Sequence, residues 1–144
     1  GGNAVDHMIV QGVQGVEFIC ANTDAQALKR NQAKSQLQLG GEITKGLGAG
    51  MEPSLGKAAA EENRQEILDA LTGADMVFIT CGFGGGTGSG AVPVIADLSK
   101  SLGILTIVVV TTPFSFEGEQ RNQIAKKAIE NLNGLIDSLL VIRD

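Results

Sequence analysis

Stretches of nearly continuous apolar residues alternate along the chain with amphipathic stretches, and this alternation predicts an α/β protein. Runs such as LTIVVV at 105–110 are typical of parallel strands buried between layers of helices. The predicted strands are 16–21, 36–39, 75–81, 104–111 and 138–142, and the predicted helices are 4–11, 24–30, 53–71, 89–102 and 119–132. The pattern therefore predicts a Rossmann-like, three-layer fold, with helices on both faces of a parallel sheet.

A glycine-rich loop separates the predicted strand 75–81 from the next predicted helix. Residues 82–90 read GFGGGTGSG, with six glycines in nine positions. Because glycine has no Cβ and adopts positive φ, such a backbone can approach an anion closely, and the amides that open the following helix supply donors. Ligands of parallel sheets bind at the carboxyl ends of the strands, where this loop lies. The loop predicts a nucleotide phosphate site.

Two common nucleotide loops and a plain linker are alternatives for this segment. A Walker A loop ends in Gly-Lys-Ser/Thr, but the first lysine after the loop is Lys100, so that motif is excluded. The dinucleotide pattern G-x-G-x-x-G/A is met formally by Gly86, Gly88 and Ala91, although the following strand carries no acid. An oxidoreductase stays open because Asp24 follows another strand. A flexible linker is not usually bracketed by a buried strand and a helix.

Composition agrees with one cytosolic domain. The 144 residues are 43% hydrophobic and 19% charged, no apolar run reaches the length of about eighteen residues typical of a membrane span, and no signal peptide opens the chain. We therefore expect no direct membrane insertion. The net charge of −5 argues against nucleic-acid binding. Cys20 and Cys81 lie in apolar runs and are predicted to be buried free thiols.

Five motifs in order resemble the tubulin/FtsZ family of GTPases over all 144 residues. The segment GFGGGTGSG resembles the family signature GGGTG[ST]G. The other four are GGNAVDHM at the start, NTDAQAL at 22–28, GLGAG at 46–50 followed by Glu52 and Pro53, and TTPFSFEGEQR at 111–121. The resemblance implies a tubulin/FtsZ-type GTP-binding domain over residues 1–144 that lacks the family's first, central strand. It also implies that the central helix and C-terminal domain of the parent protein lie outside this chain.

The resemblance implies that the nucleotide is held by five loops at one end of the sheet. Backbone amides of the glycine loop would hold the phosphates, residues 49–51 would close over the γ-phosphate, and Glu117 and Arg121 would contact the nucleoside. The implied nucleotide-binding residues are Gly1, Gly2, Asn3, Asn22, Thr23, Asp24, Ala49, Gly50, Met51, Gly82, Gly84, Gly85, Gly86, Thr87, Gly88, Ser89, Gly90, Thr112, Pro113, Glu117, Arg121 and Asp144.

Some of these residues have structural interpretations as well. Thr87 and Ser89 are candidate phosphate donors or N-caps of the following helix, and Thr23 and Asp24 contact the nucleotide or its magnesium shell or cap a helix. Residues 1–3 are a phosphate contact or a disordered terminus, and residues 49–51 a nucleotide loop or an ordinary surface loop. Glu117 and Arg121 are spaced as an exposed helical ion pair. Asp144 falls where the family has a guanine-reading asparagine; an aspartate could accept from the base but lacks the amide's donor.

The resemblance also implies the biological role. The parent protein would bind GTP or GDP with Mg²⁺, the ion being held mainly by phosphates and water rather than by protein ligands. It would polymerise head to tail into the cytoplasmic filaments of the bacterial division ring, and further division proteins would bind its absent C-terminal part. Hydrolysis would be completed by an acidic loop of the adjacent subunit, so this segment holds no catalytic residue and would be inactive alone. The alternatives are a filament-forming relative with little turnover and the oxidoreductase.

Overall fold

The computed structural model describes residues 2–12, 14–112 and 118–143 of the chain. The strands in these residues are β1 (Ile19–Asn22), β2 (Ser35–Gln38), β3 (Met76–Gly82), β4 (Leu105–Thr112) and β5 (Ser138–Arg143). The helices are α1 (Gly2–Val10), α2 (Ala25–Arg30), α3 (Gly41–Thr44), α4 (Pro53–Glu62), α5 (Arg64–Leu71), α6 (Thr87–Ser101) and α7 (Glu119–Asn131). The predicted alternation of strands and helices is confirmed.

All of these strands pair in parallel, but they form two sheets. One sheet contains β1 and β2, and the other has the order β3-β4-β5. The pattern predicts a single sheet, whereas no strand among the described residues pairs with both β1 and β3. The carboxyl ends of β3 and β4 lie level with one another, since Gly82 is in register with Thr111. This register brings the predicted ligand loops to one edge.

Helix α6 is the centre of the core. One side of α6 packs with α4 and α5, and the other side packs with β4 and α7. The first cluster contains Leu39, Ala59, Ala60, Ile67, Leu71, Ala91, Val94, Leu98 and Ile104, and the second contains Phe83, Val92, Ala96, Val108, Val110, Ala125, Ala128 and Leu132. The glycine loop therefore opens a helix that contributes residues to both hydrophobic clusters.

The two sheets differ in how their faces are covered. Neighbouring residues of a strand point to opposite faces, and in β1 Cys20 packs with Leu28 while Ala21 packs against the first cluster. In the three-stranded sheet, Phe78 is 62% exposed and Leu140 is 55% exposed. The described part of the chain thus leaves one face of this sheet open, where the sequence predicts helices on both faces.

Most predicted elements match the observed ones to within two residues, but two differ more, and one helix is absent from the prediction. The predicted helix 53–71 is two helices, because the chain turns at Asn63, whose side-chain oxygen accepts the amide of Gly40 at 2.7 Å. The predicted strand 16–21 is reduced to Ile19–Asn22. The pattern predicts no element at 41–44, where the structure has helix α3; it is a single turn flanked by left-handed Gly40 and Lys45, too short for a periodic pattern.

Candidate functional site

Residues of three separate motifs meet at the carboxyl end of β3. The Oγ1 atoms of Thr23 and Thr87 are 2.6 Å apart, although the residues are 64 positions apart in sequence. The amide of Gly86 donates to the carbonyl of Gly50 at 3.0 Å. The structure therefore brings the glycine loop together with the loop after β1 and with the segment before α4.

The glycine loop is anchored to the sheet at Phe83, a residue that was not among the predicted site residues. Its amide donates to the carbonyl of Thr111 at 2.9 Å, and its side chain is only 4% exposed in the second cluster. The next residue, Gly84, has φ of +114°, a conformation that favours glycine. The buried ring fixes the start of the loop, and Gly84 then turns the backbone away from the sheet.

Internal hydrogen bonds determine which amides of the loop stay open. The amide of Gly84 donates to the buried Oγ of Ser89 at 2.9 Å, and that of Gly90 donates to the carbonyl of Gly86 at 3.1 Å. The first three amides of α6, at 87–89, have no acceptor within the helix. Because the positive end of the helix dipole also lies here, this backbone is suited to bind an anion.

The alternative that Thr87 or Ser89 caps α6 is wrong. The N-cap residue is Gly86, which makes no side-chain capping bond. The hydroxyl of Ser89 instead accepts the amide of Gly84 and closes the loop on itself. The hydroxyl of Thr87 lies against Thr23.

Helix α4 packs so closely on the loop that only glycine fits at the contact. A Cβ on Gly56 would overlap the carbonyl of Gly86, and a Cβ on Gly86 would lie 2.7 Å from the carbonyl oxygen of Gly50. Farther along, the backbone of Gly88 lies against that of Gly82, where a Cβ would come within 2.6 Å of the Gly82 oxygen. The shape of the loop is therefore set by backbone packing on two sides.

The end of β1 and the loop after it hold the predicted residues Asn22, Thr23 and Asp24. Asp24 is the N-cap of α2, and its Oδ1 accepts the amides of Gln26 and Ala27, so the capping interpretation is confirmed for this residue. The side-chain oxygen of Asn22 accepts the amide of Asp24 at 3.1 Å. Thr23 is fully buried. Its side chain faces the glycine loop rather than solvent.

The segment 46–51 is tied to the loop after β1. The amide of Ala25 donates to the carbonyl of Gly46 at 3.1 Å, and Asp24 forms an antiparallel bridge with Leu47. Ala49 is buried, whereas Gly50 is exposed beside the glycine loop and Met51 is half-buried. This segment is thus held between two other predicted ligand loops and is not an isolated surface loop.

The remaining predicted site residues lie in α1, β4 and α7 or outside the described residues. Gly2 and Asn3 begin α1, where the carbonyl of Gly2 accepts the side-chain amide of Asn31 at 3.0 Å. Thr112 ends β4, and Arg121 is exposed in α7. The predicted contacts Gly1, Pro113, Glu117 and Asp144 lie outside the described residues.

The electrostatics of the loop come from backbone dipoles. Burial raises the pKa of the Cys81 thiol to about 12, so the side chain that precedes the loop is neutral. The thiol of Cys20 is buried as predicted, whereas Cys81 is only partly buried.

In the ranges that the structure describes, no group of three or more His, Cys, Asp or Glu side chains could hold a metal ion. Nor does any helix in those ranges have the length and hydropathy to span a membrane.

A glycine loop at the carboxyl end of a buried parallel strand, opening a helix with free amides, defines a nucleotide-binding α/β protein. Residues 1–144 match the Tubulin/FtsZ family, GTPase domain. The chain belongs to this family, and the resemblance drawn from its five motifs is confirmed.

Similar proteins agree with this assignment. The cell division protein FtsZ of Coxiella burnetii is 58% identical over 142 residues, which are 99% of this chain and 37% of that protein. The structure matches an empty FtsZ dimer from M. jannaschii with a TM-score of 0.97 and 45% identity, covering 99% of this chain and 42% of the other. It also matches CetZ2 from Haloferax volcanii, solved as a GTPγS-bound protofilament, with a TM-score of 0.86, 25% identity and coverage of 99% and 45%. The chain thus spans about two fifths of its relatives.

Proposed function

We propose that the chain is the GTP-binding part of a longer cytoskeletal GTPase that polymerises head to tail into the division ring of a dividing bacterium. The observation that carries this proposal is the loop between β3 and α6, whose free amides face the edge where three predicted ligand loops meet. The similar proteins support the biological setting, since the relative from Coxiella burnetii is a cell division protein. The parent protein would act in the cytoplasm at the division site.

The phosphates of GTP or GDP would bind over the start of α6. The amides of Thr87, Gly88 and Ser89 have no acceptor within the helix, because they lie in its first turn. The space beside Gly85 is open, since a Cβ added to this residue would have no heavy atom within 4 Å. Oriented amides in a loop at a helix N-terminus form a concave anion site without any lysine. Gly50 would lie beside the γ-phosphate because its carbonyl already contacts the loop at Gly86.

Mg²⁺ would bind through the nucleotide rather than through a cage of protein side chains. Mg²⁺ retains several waters and is usually held by one or two carboxylates together with substrate phosphates. Asp24 lies in the loop after β1, but its Oδ1 already caps α2. We therefore assign the ion to phosphate oxygens and water, with Asp24 at most as a partner of that water.

The nucleoside would extend from the loop toward β4 and α7. Arg121 is exposed on α7, which follows β4 in the chain, and the guanidinium would face the nucleotide. Glu117 would accept the ribose hydroxyls. Asp144 would accept from the guanine N1 and N2 donors, because a carboxylate has acceptors but no donor. Because the family has an asparagine at this position, Asp144 would lack the donor of that side-chain amide.

Hydrolysis would need the next subunit of the filament. Phosphoryl transfer is mainly a matter of positioning and charge stabilisation, so a site that only binds phosphates turns over slowly. In our proposal the attacking water is positioned by an acidic loop from the distal part of an adjacent protomer. The solved relatives include a dimer and a protofilament, which supports assembly as the working state.

The proposal is tested by measuring GTP turnover of the complete protein against its concentration, with Mg²⁺ present and ATP as the control nucleotide. We expect turnover to appear only above a threshold concentration and to rise linearly beyond it, because each active site forms between two subunits. Residues 1–144 alone should give no turnover above a contaminant control. GTP turnover that is proportional to protein from the lowest concentration would contradict the shared site.

A further inference from the structure

We propose that Thr23 is a positioning residue that acts on the bound phosphates through Thr87 and does not itself touch the nucleotide. This inference rests on the proposed function, since it concerns how the glycine loop presents a hydroxyl to GTP. It changes the role of Thr23, which the sequence suggests is a direct contact with the nucleotide or its magnesium shell.

The burial of Thr23 excludes a direct contact in this structure. Its relative exposure is 0%, and its Oγ1 lies 2.6 Å from the Oγ1 of Thr87. Its carbonyl accepts the hydroxyl of Thr44, which is also buried, at 3.4 Å. Three threonines therefore connect the end of α3, the loop after β1 and the start of α6, and of the three only Thr87 is partly exposed.

The chemistry of two hydroxyls and a phosphate fixes the direction of the hydrogen bond. Each hydroxyl has one proton to donate, whereas ionised phosphate oxygens only accept. When Thr87 donates to a phosphate, its oxygen must accept the proton of Thr23. The buried Thr23 hydroxyl thus holds Thr87 in the orientation that donates to the anion, and hydrogen bonds to charged acceptors are the strong ones.

The chain contains a matched control pair at the other end of α6. The Oγ of Ser99 lies 2.6 Å from the Oγ1 of Thr106, and both residues are buried. Thr106 also donates to the carbonyl of Ile104 at 3.0 Å. Removing the Thr106 hydroxyl disrupts a second buried hydroxyl pair, which joins α6 to β4 far from the glycine loop. The effect of this change therefore measures the structural cost of losing such a pair.

The test is GTP affinity, measured by titration in the complete protein for Thr23→Val, Thr23→Ala, Thr23→Ser and Thr106→Val. We expect the two variants without a hydroxyl at 23 to bind GTP about tenfold more weakly, which corresponds to about one charged hydrogen bond. Thr23→Ser should bind within about twofold of wild type, because it retains the donor. Thr106→Val should lose stability but retain GTP affinity. Thr23→Val and Thr23→Ala differ in side-chain volume, so whichever of them folds is sufficient for the test.

A double-mutant cycle separates action through Thr87 from a general structural role. If Thr23 acts only through Thr87, Thr87→Val and the double variant Thr23→Val/Thr87→Val should bind GTP equally weakly. Additive losses, or wild-type affinity in the folded Thr23 variants, would overturn the positioning role while leaving the proposed function intact. Absence of GTP binding by wild-type protein would overturn the proposed function instead, and the inference with it.

Discussion

Gly90 of α6 lies directly against Pro53 at the start of α4. A Cβ on Gly90 would overlap the carbonyl of Pro53 and would lie 2.6 Å from the amide nitrogen of Lys57. Because backbone atoms cannot move aside as a flexible side chain can, this contact fixes the separation of the two helices. It therefore also fixes the segment 49–51, which directly precedes α4, relative to the glycine loop.

Gly90→Ala should destabilise the fold. The added methyl forces α4 away from α6, and overpacking of this kind typically costs about 1–3 kcal/mol, with a backbone clash at the upper end. Urea unfolding measures the change. Gly41→Ala is the matched control, because it is also a helical glycine but its built Cβ lies 3.6 Å from the nearest atom, Gln38 Nε2. Equal stability of the two variants would contradict the close packing.

Gly85→Ala should separate binding from folding. Its built Cβ has no heavy atom within 4 Å and its φ is not positive, so we expect stability within about 0.5 kcal/mol of wild type. The methyl would stand where we propose that the phosphates approach, and GTP affinity should fall by about tenfold or more. Unfolding and GTP titration on the same variant check both expectations. Unchanged affinity would show that phosphate does not pass over Gly85.

Ser89→Ala should loosen the glycine loop from within. The Ser89 hydroxyl is the acceptor for the buried amide of Gly84, and an unpaired buried donor costs about 1–3 kcal/mol. Ser89→Thr retains the hydroxyl and should retain most of the stability. Thermal unfolding with amide hydrogen exchange at Gly84 measures the effect. Slow exchange at Gly84 in Ser89→Ala would mean that another group protects this amide.

The Cys81 thiol should make the fold sensitive to alkaline pH. Its pKa is raised by burial to about 12 from 9.0, so the stability it contributes is complete below pH 9 and is lost as the pH rises toward 12. Between about pH 8 and 10, wild type should lose about 1 kcal/mol more unfolding free energy than Cys81→Ala. Cys20→Ala is the control, since it retains Cys81 and most of the slope. Identical slopes for wild type and Cys81→Ala would refute this assignment.

The strand, loop and helix around the glycine segment follow from local sequence. The predicted strand 75–81 and the observed Met76–Gly82 differ by one residue, because an apolar run that meets a glycine cluster has few other ways to end. The predicted helix start at Ser89 is two residues late. The spacing of apolar residues along α6 does not show that Gly86, rather than a serine or threonine, is the N-cap.

The features that a local pattern cannot predict depend on distant residues. The helix break falls at Asn63, whose side chain accepts a hydrogen bond from Gly40, 23 positions away, while the amphipathic pattern continues through it. The Thr23 to Thr87 contact joins two loops 64 positions apart, and each residue alone resembles an ordinary cap or ligand. Phe83 reads as one apolar residue within a glycine run, and only the fold gives it an anchoring role.

The decisive measurement is titration of the complete protein with GTP, GDP and guanosine in the presence of Mg²⁺, with ATP as a competitor. If the open amides at the start of α6 hold the phosphates, GTP and GDP should bind. Guanosine should bind far more weakly, because it has no phosphate. ATP should not displace GTP if the parent protein reads guanine. Guanosine binding as tightly as GTP, or no binding of GTP by the folded protein, would show that the start of α6 is not a phosphate site.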